Sequence, residues 1–352
     1  MDFIPDMIID QTLKDIKLSP LDAEIILSYA IKKPKEYLFA HPEKKLTPLQ
    51  LRKFKSLAVR RVKGEPIAYL ICRKEFYGFD FYVNKNVLIP RPETELLVDE
   101  VLAHVQNAEH KIPDTKIIDV GTGSGNIIIS IARNLRRNIS KKIEFLGTDI
   151  SPSALKVARR NAKSHRVIKK IKFIKSNLLD FIYEAPEADT QSIHSFLRVS
   201  PTLHNFDDGA SKIPVSRKSG IHSTSLYSRF YAKRGKQKKS KKHKHIIIVA
   251  NLPYLSRSLY EKCSKDIKDH EPREALISSS KGLNYYRKLI KQIETFIQIT
   301  NYELPITVFL EISPEQRKPI SKIIKERLPQ AKTAFKKDLT GKWRVVSAKL
   351  EL

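Results

Sequence analysis

Four residues, Asn251-Leu252-Pro253-Tyr254, follow a short β-branched run from His245 to Ala250. The asparagine oxygen and the Leu252 backbone carbonyl are two acceptors on adjacent residues, and the tyrosine ring is a flat surface close by. Together they suit a planar nitrogen carrying two N–H bonds. The acceptors take the N–H groups, the ring stacks on the plane, and charge is relieved as the nitrogen attacks. The lone pair of such a nitrogen is delocalised, so the reaction needs orientation and a strong electrophile more than a strong general base. Asn-x-Pro-x is also a common turn after a strand. Its weight here comes from the sheet on which it falls.

An earlier strand of that sheet ends in Ile117-Ile118-Asp119-Val120-Gly121-Thr122-Gly123-Ser124-Gly125-Asn126. Gly121, Gly123 and Gly125 let the backbone turn sharply and approach a ligand, with Thr122 and Ser124 between them. The helix that follows offers unpaired N–H groups at its start. The next strand ends at Asp149, 24 residues after Gly125 (149 − 125), where a carboxylate can accept both hydroxyls of a ribose. Asp149 or Ser151 could equally cap the helix that starts at Pro152. A third strand end, Ser176 to Asp180, offers Asn177 as a polar neighbour of a base and Leu178 as an apolar wall, or is an ordinary loop. Glycines spaced GxGxG, rather than GxGxxG, favour S-adenosylmethionine over a nicotinamide cofactor, and hence methyl transfer.

The elements that must position these residues alternate. Lys116–Val120, Glu144–Asp149, Ile171–Lys175, His245–Ala250, Thr307–Ile312 and Trp343–Ala348 read as strands. Asn126–Asn134 and Pro152–Ser164 read as helices. Such alternation predicts an α/β fold, Rossmann-like, with a mostly parallel, doubly wound sheet. Ahead of it, residues 1–75 read as a small helical domain, with helix starts at Ser19-Pro20 and Thr47-Pro48. Residues 76–92 read as a linker with a hairpin around Gly78 and Asn84, and residues 93–352 as the catalytic domain, opening on a helix from Glu93 to Val105. Residues 181–244 lack any steady period and end in the basic run KRGKQKKSKKHK, which predicts a largely disordered insertion. That insertion is either a solvated tail or an arm that reaches RNA or the ribosome.

Composition bounds the rest. The 352 residues carry 66 Lys and Arg against 38 Asp and Glu, a formal charge of +28. Either a surface that meets nucleic acid or a lysine-rich coding bias accounts for this excess, and charge alone does not choose. The two cysteines, Cys72 and Cys263, have no partners at metal-ligand spacing, so no metal site is expected and a reducing cytoplasm is. No apolar run reaches the roughly 20 residues of a membrane span, and the acidic N-terminus reads as neither a secretory signal nor a transit peptide.

Taken in order, these segments resemble the glutamine methyltransferases that modify peptide chain release factors. The similarity runs through GEPIAYLICRKEFYGFDFYVNKNVLIPRPETELLV (64–98), the catalytic tetrapeptide, HEPREAL (270–276) with Lys281-Gly282-Leu283, LEISPEQ (310–316) and KDLTGKWRVV (337–346). It implies S-adenosylmethionine as methyl donor and the glutamine of the Gly-Gly-Gln tip of a release factor as acceptor. It also implies a release-factor-recognising role for the N-terminal helical domain. Carried over by residue, Gly121 to Gly125 hold the methionine part of the cofactor, Asp149 the ribose, and Leu178 lies by adenine. Asn251 borders the cofactor and, with Leu252, Pro253 and Tyr254, receives the glutamine. Arg91 and Glu93 fall in the segment that approaches the site. One departure is Leu252, where the family usually has proline; the carbonyl is retained, but leucine adds an N–H and a freer φ. The residues of the site alone leave an RNA adenine-N6 amine open as the acceptor, since it is equally flat and carries two N–H bonds.

Overall fold

Ser19 and Thr47 start helices as their contexts predict. The N-terminal segment folds as α1 (Ile9–Lys14), α2 (Pro20–Ile31), α3 (Lys35–Ala40), α4 (Pro48–Val62) and α5 (Ile67–Leu70). Ser19 Oγ accepts from the Asp22 N–H at 3.2 Å, and Thr47 and Gln50 close a reciprocal capping box. Ile26, Leu27, Leu38, Leu51, Phe54 and Leu70 pack into one apolar cluster between these helices. The computed structural model from which this is read describes residues 7–107, 114–182, 245–300 and 305–351.

The expected hairpin is present but shorter and earlier, with β1 (Lys74–Phe76) paired to β2 (Phe79–Phe81). Tyr77 and Gly78 both take positive φ and form the turn, and three residues pair on each side of it. The helix expected from Glu93 begins two residues later. Pro92–Thr94 is a 3-10 turn, closed by the Thr94 N–H on the Arg91 carbonyl at 3.1 Å, and α6 (Glu95–Asn107) follows it.

Next come β3 (Thr115–Val120), α7 (Asn126–Asn134), α8 (Arg137–Ser140), β4 (Ile143–Asp149), α9 (Pro152–Ser164), β5 (Ile171–Lys175), β6 (His245–Ala250), α10 (Asn284–Thr300), β7 (Ile306–Glu311), α11 (Arg317–Arg327), β8 (Lys332–Lys337) and β9 (Trp343–Leu350). The strands form a seven-stranded sheet in the order β5-β4-β3-β6-β7-β9-β8. β3 to β7 are parallel, and β9 runs antiparallel to both its neighbours, so β8 at the edge points the same way as β3 to β7. Every residue of β3 and of β7 is buried, as expected of parallel strands covered on both faces.

The chain builds outward from β3 to β5 and then returns to place β6 on the other side of β3. The strand order therefore reverses between β3 and β6, where open α/β sheets form a crevice at their carboxyl ends. Val120 lies opposite Thr148 on one flank and Ala250 on the other. That register brings the segments after β3, β4 and β6 to one level. β8 was not expected from the sequence, and it lies at the exposed edge of the sheet. The insertion expected at 181–244 lies outside the described residues from 183 onward.

Candidate active site

The glycine segment after β3 turns with φ of +74° at Gly121, +54° at Gly123 and +80° at Gly125. The N–H groups of Gly121 and Thr122 both donate to the Thr148 carbonyl, at 2.9 and 2.8 Å. A β-carbon at Gly125 would press on Ile129 Cδ1 at 2.9 Å and Ala158 Cβ at 3.3 Å, so this position is bare because α7 and α9 close on it. At Gly123 only the Gly121 carbonyl, at 3.9 Å, comes near where a β-carbon would stand. That face is an open cradle lined by backbone.

Carboxylates brace the loop from two sides. Asp149, at the end of β4, accepts from the Gly123 N–H at 2.9 Å and the Ser151 N–H at 2.8 Å. Burial raises its carboxyl, while the Ser151, Gly123 and Ile150 amides pull it down. Ser151, not Asp149, caps α9, accepting from the Ala154 N–H at 3.2 Å. Beneath the loop, fully buried Asp119 accepts from the Thr122 hydroxyl at 2.6 Å. Burial lifts Asp119 to about 7 against the pull of that hydroxyl and of the Ile128 amide. Asn161 ties the loop to the linker: its side-chain amide donates to the carbonyls of Ser124 and Tyr82, and its oxygen accepts from the Tyr82 N–H. Leu178 is buried with φ +57°, and its carbonyl accepts from the Thr148 hydroxyl at 3.4 Å.

Asn251 to Tyr254 leave β6 on the other flank. Leu252 is buried and its Cδ2 would touch a β-carbon on Gly121 at 3.3 Å, so the tetrapeptide packs directly on the glycine turn. The fold thus gathers Gly121 to Gly125, Asp149, Leu178 and Asn251 to Tyr254 at one edge of the sheet. Asn251 Nδ2 donates to Thr94 Oγ1 at 3.0 Å. The Tyr254 hydroxyl donates to Glu311 Oε1 at 3.5 Å, and burial pushes that phenol above its ordinary range. Glu311 ends β7 and is itself buried. Burial lifts its carboxyl to about 7, opposed by a hydrogen bond from the Thr94 hydroxyl and by the Arg344 charge.

Several residues that carry this arrangement were not singled out in the sequence, although each stands in a segment that bears the family resemblance. Glu271 of HEPREAL accepts from Arg91 Nη2 and, at 3.2 Å, from the Ile89 N–H, which anchors the 89–94 strip against the site. Gln316 of LEISPEQ donates to the carbonyls of Tyr254 and Gly282 at 3.0 and 3.1 Å. Thr94 of RPETE reaches Asn251, while Glu93 beside it is exposed. Each stands in a segment with other polar residues, so the sequence marks neither which of them is buried nor which partner it meets.

Residues 9–71 match the family described as the PrmC N-terminal domain, and residues 111–208 match one described as a methyltransferase domain. A release factor glutamine methyltransferase of Clostridium acetobutylicum is 30% identical over 268 residues, covering 76% of this chain and 71% of that protein. One from Bacillus anthracis is 27% identical over 330 residues, covering 93% of this chain and 92% of that protein. A bifunctional methyltransferase of Rickettsia felis is 29% identical over 358 residues, 94% of this chain but 54% of the relative, so the chain spans about half the length of that longer protein. Among the described residues no helix is long and apolar enough to cross a membrane. The chain carries a methyltransferase domain and belongs to the release factor glutamine methyltransferase family.

Proposed function

We propose that this chain transfers a methyl group from S-adenosylmethionine to the side-chain amide nitrogen of the glutamine in the Gly-Gly-Gln tip of a peptide chain release factor, in support of translation termination. The observation that carries this reading is the engagement of Asn251 Nδ2 by Thr94. It leaves Asn251 Oδ1, with the Leu252 carbonyl, as a pair of acceptors without partners among the described residues. A primary amide presents two N–H bonds in one plane, and this pair fits them.

The backbone cradle at Gly123 supports a place for the cofactor. Gly121, Thr122, Gly123, Ser124 and Gly125 would hold its methionine part, Asp149 its ribose hydroxyls and Leu178 its adenine, with Asn251 at its border. When bound, S-adenosylmethionine supplies an electrophilic methyl group on a positively charged sulfur. The chain's own work is orientation. Asn251 Oδ1 and the Leu252 carbonyl take the amide N–H groups, Tyr254 stacks on the amide plane, and Pro253 stiffens the turn between them. As positive charge grows on the nitrogen, the two acceptors strengthen their hold on its N–H bonds, and one proton leaves to water.

The helical segment 1–75 is then the part that recognises the release factor, and the free thiols of Cys72 and Cys263 suit a cytoplasmic setting. The test is incubation with methyl-labelled cofactor and, separately, a purified release factor or ribosomal RNA. Label should enter the release factor glutamine, and label entering only RNA would overturn the assignment. Asn251→Ala should abolish turnover while cofactor binding, measured by titration, largely persists. Retained turnover would place the methyl acceptor elsewhere.

A further inference from the structure

We infer that Arg317, Lys337 and Trp343 form a subsite beside the tetrapeptide that holds an acidic side chain of the protein substrate. The inference rests on the proposed reaction, in which the acceptor glutamine is carried by a protein.

The cluster is made by an irregularity in the last pair of strands. Lys336 lies opposite Val345 but Lys337 lies opposite Trp343, so Arg344 is an extra residue on β9. In an even register Trp343 would share the face of Val345, which packs into the core with the apolar side of α6. The bulge turns it instead to the face of Phe335, whose ring stands edge-on to it at 6.3 Å between centroids. There the guanidinium of Arg317, the first residue of α11, lies 4.1 Å from the indole centroid, and Lys337 Nζ lies 4.8 Å from it.

Two cations over one ring repel each other, and the π-face offsets part of that cost. Their neighbours on β8 and β9 are neutralised: Lys332 by Glu351 at 3.0 Å, Lys336 by Glu100 at 3.2 Å and Arg344 by Asp338 at 3.1 Å. Arg317 and Lys337 are exposed and have no acidic partner among the described residues. A guanidinium held on a ring keeps its N–H edge available, and that edge fits an anion with two oxygens.

The cluster stands where a protein carrying the acceptor must pass. Arg317 directly follows Gln316, whose side chain donates to the Tyr254 carbonyl at 3.0 Å. Trp343 directly precedes Arg344, whose carbonyl accepts at 2.8 Å from the N–H of Ile312, one residue past Glu311. Both partners of the cation–π contact are thus one residue removed from groups that border the tetrapeptide, at the carboxyl edge of the sheet. The anions of an unmodified protein are carboxylates. The indole is engaged as a seat for cations rather than left as a platform for a nucleobase, so the cluster suits an acidic side chain better than single-stranded RNA.

The experiment measures kcat, KM and cofactor affinity with a purified release factor. Arg317→Gln should raise KM about fivefold, the upper end for an exposed ion pair, with kcat and cofactor Kd held. Arg317→Lys keeps the charge and should recover most of the loss. At about 1 M salt, where the screening length is about 3 Å, the gap between parent and glutamine variant should close. A lesion in the fold would lower kcat or cofactor affinity and would not answer to salt. Lys337→Gln should behave in the same way, and it reads the subsite should the Arg317 variant fail to fold. Trp343 is the chain's single tryptophan, so its emission reads the cluster directly against RNA, which has none. A single-stranded RNA should leave that emission unchanged at physiological salt. Quenching by RNA that Arg317→Gln abolishes would make this a phosphate site and overturn the inference, as would an unchanged KM in both glutamine variants. A parent protein that binds the factor without methylating it overturns the proposed reaction alone, and the cluster is then read from the Kd of the factor. No binding of the factor overturns both.

Discussion

A β-carbon at Gly282 would collide with the Tyr254 carbonyl and stand 2.6 Å from Gln316 Nε2, and the residue holds φ at +84°. Backbone contact this close lets Gln316 bridge the Gly282 and Tyr254 carbonyls and so fixes the exit of the tetrapeptide. Gly282→Ala must therefore move the Tyr254 backbone, not merely a flexible side chain. We expect it to lower stability by about 1–3 kcal/mol, the usual range for overpacking and positive-φ strain, and to lower kcat more than cofactor affinity. Urea unfolding and cofactor titration check both parts. Wild-type turnover in this variant would show that the tetrapeptide need not be held from behind.

At the scale of elements, the site depends on one strip, residues 89–94, docking against Glu271. The Glu271 side chain is 1% exposed while that of Arg91 is 31% exposed, so the carboxylate is the member with most to lose. Removing Arg91 leaves a buried charge that keeps its hydrogen bond from the Ile89 N–H but loses its counter-ion. Arg91→Met is expected to cost about 2 kcal/mol, below the full penalty for an uncompensated buried charge because the guanidinium side is open to solvent. Glu271→Gln in the same background should recover part of it, since the neutral amide oxygen can still accept from Ile89. Unfolding midpoints of the two single variants and the double variant test this coupling. Additive effects would mean the pair does not act as one.

This dependence also explains what the sequence disclosed. β3 and β6 were legible as β-branched runs, and β4 as a mostly apolar one, because both faces of each are covered. The glycine turn, Asp149 and the tetrapeptide follow from those strands by simple succession. β8 was not legible, because KTAFKK on an exposed edge has no apolar period to find. The hairpin was placed too late because aromatic residues continue to Tyr82 beyond the end of pairing at Phe81. Thr94, Glu271, Glu311 and Gln316 stood in plain view within the segments that bear the resemblance. Their roles come from partners far away in the chain, and pairing across such separations is a property of the fold.

At the scale of the molecule, two half-buried histidines and two buried carboxyls oppose each other in acid. His104 and His245, at the amino end of β6 and away from the site, lie with ring centroids 5.3 Å apart, and both meet Thr307 Oγ1. Burial chiefly holds each at about 4. An unfolded histidine takes its proton near 6.5, so stability due to this pair falls as pH drops from about 6.5 to 4. Asp119 and Glu311 stand at about 7, against ordinary values of 3.8 and 4.5. The folded chain keeps their protons where the unfolded chain has released them, so stability due to these two falls as pH rises from about 4 to 7. Glu311 faces Thr94, Tyr254, Glu93 and Arg344, and Asp119 faces Thr122 and Asp149, yet desolvation is the largest influence on both. The two effects cover the same window with opposite signs, and the parent protein should show a nearly flat contribution from them there. Replacing His104 and His245 by glutamine should tilt the profile so that stability falls toward pH 7. Replacing Asp119 by asparagine and Glu311 by glutamine should tilt it the other way. Each tilt should be on the order of 2 kcal/mol, discounted for the partial exposure of the histidines. The growing self-repulsion of a chain already at +28 affects all variants alike, so differences between their urea midpoints from pH 4.5 to 7 isolate the buried groups. Parallel profiles for all three proteins would mean that these four residues titrate together with the unfolded chain.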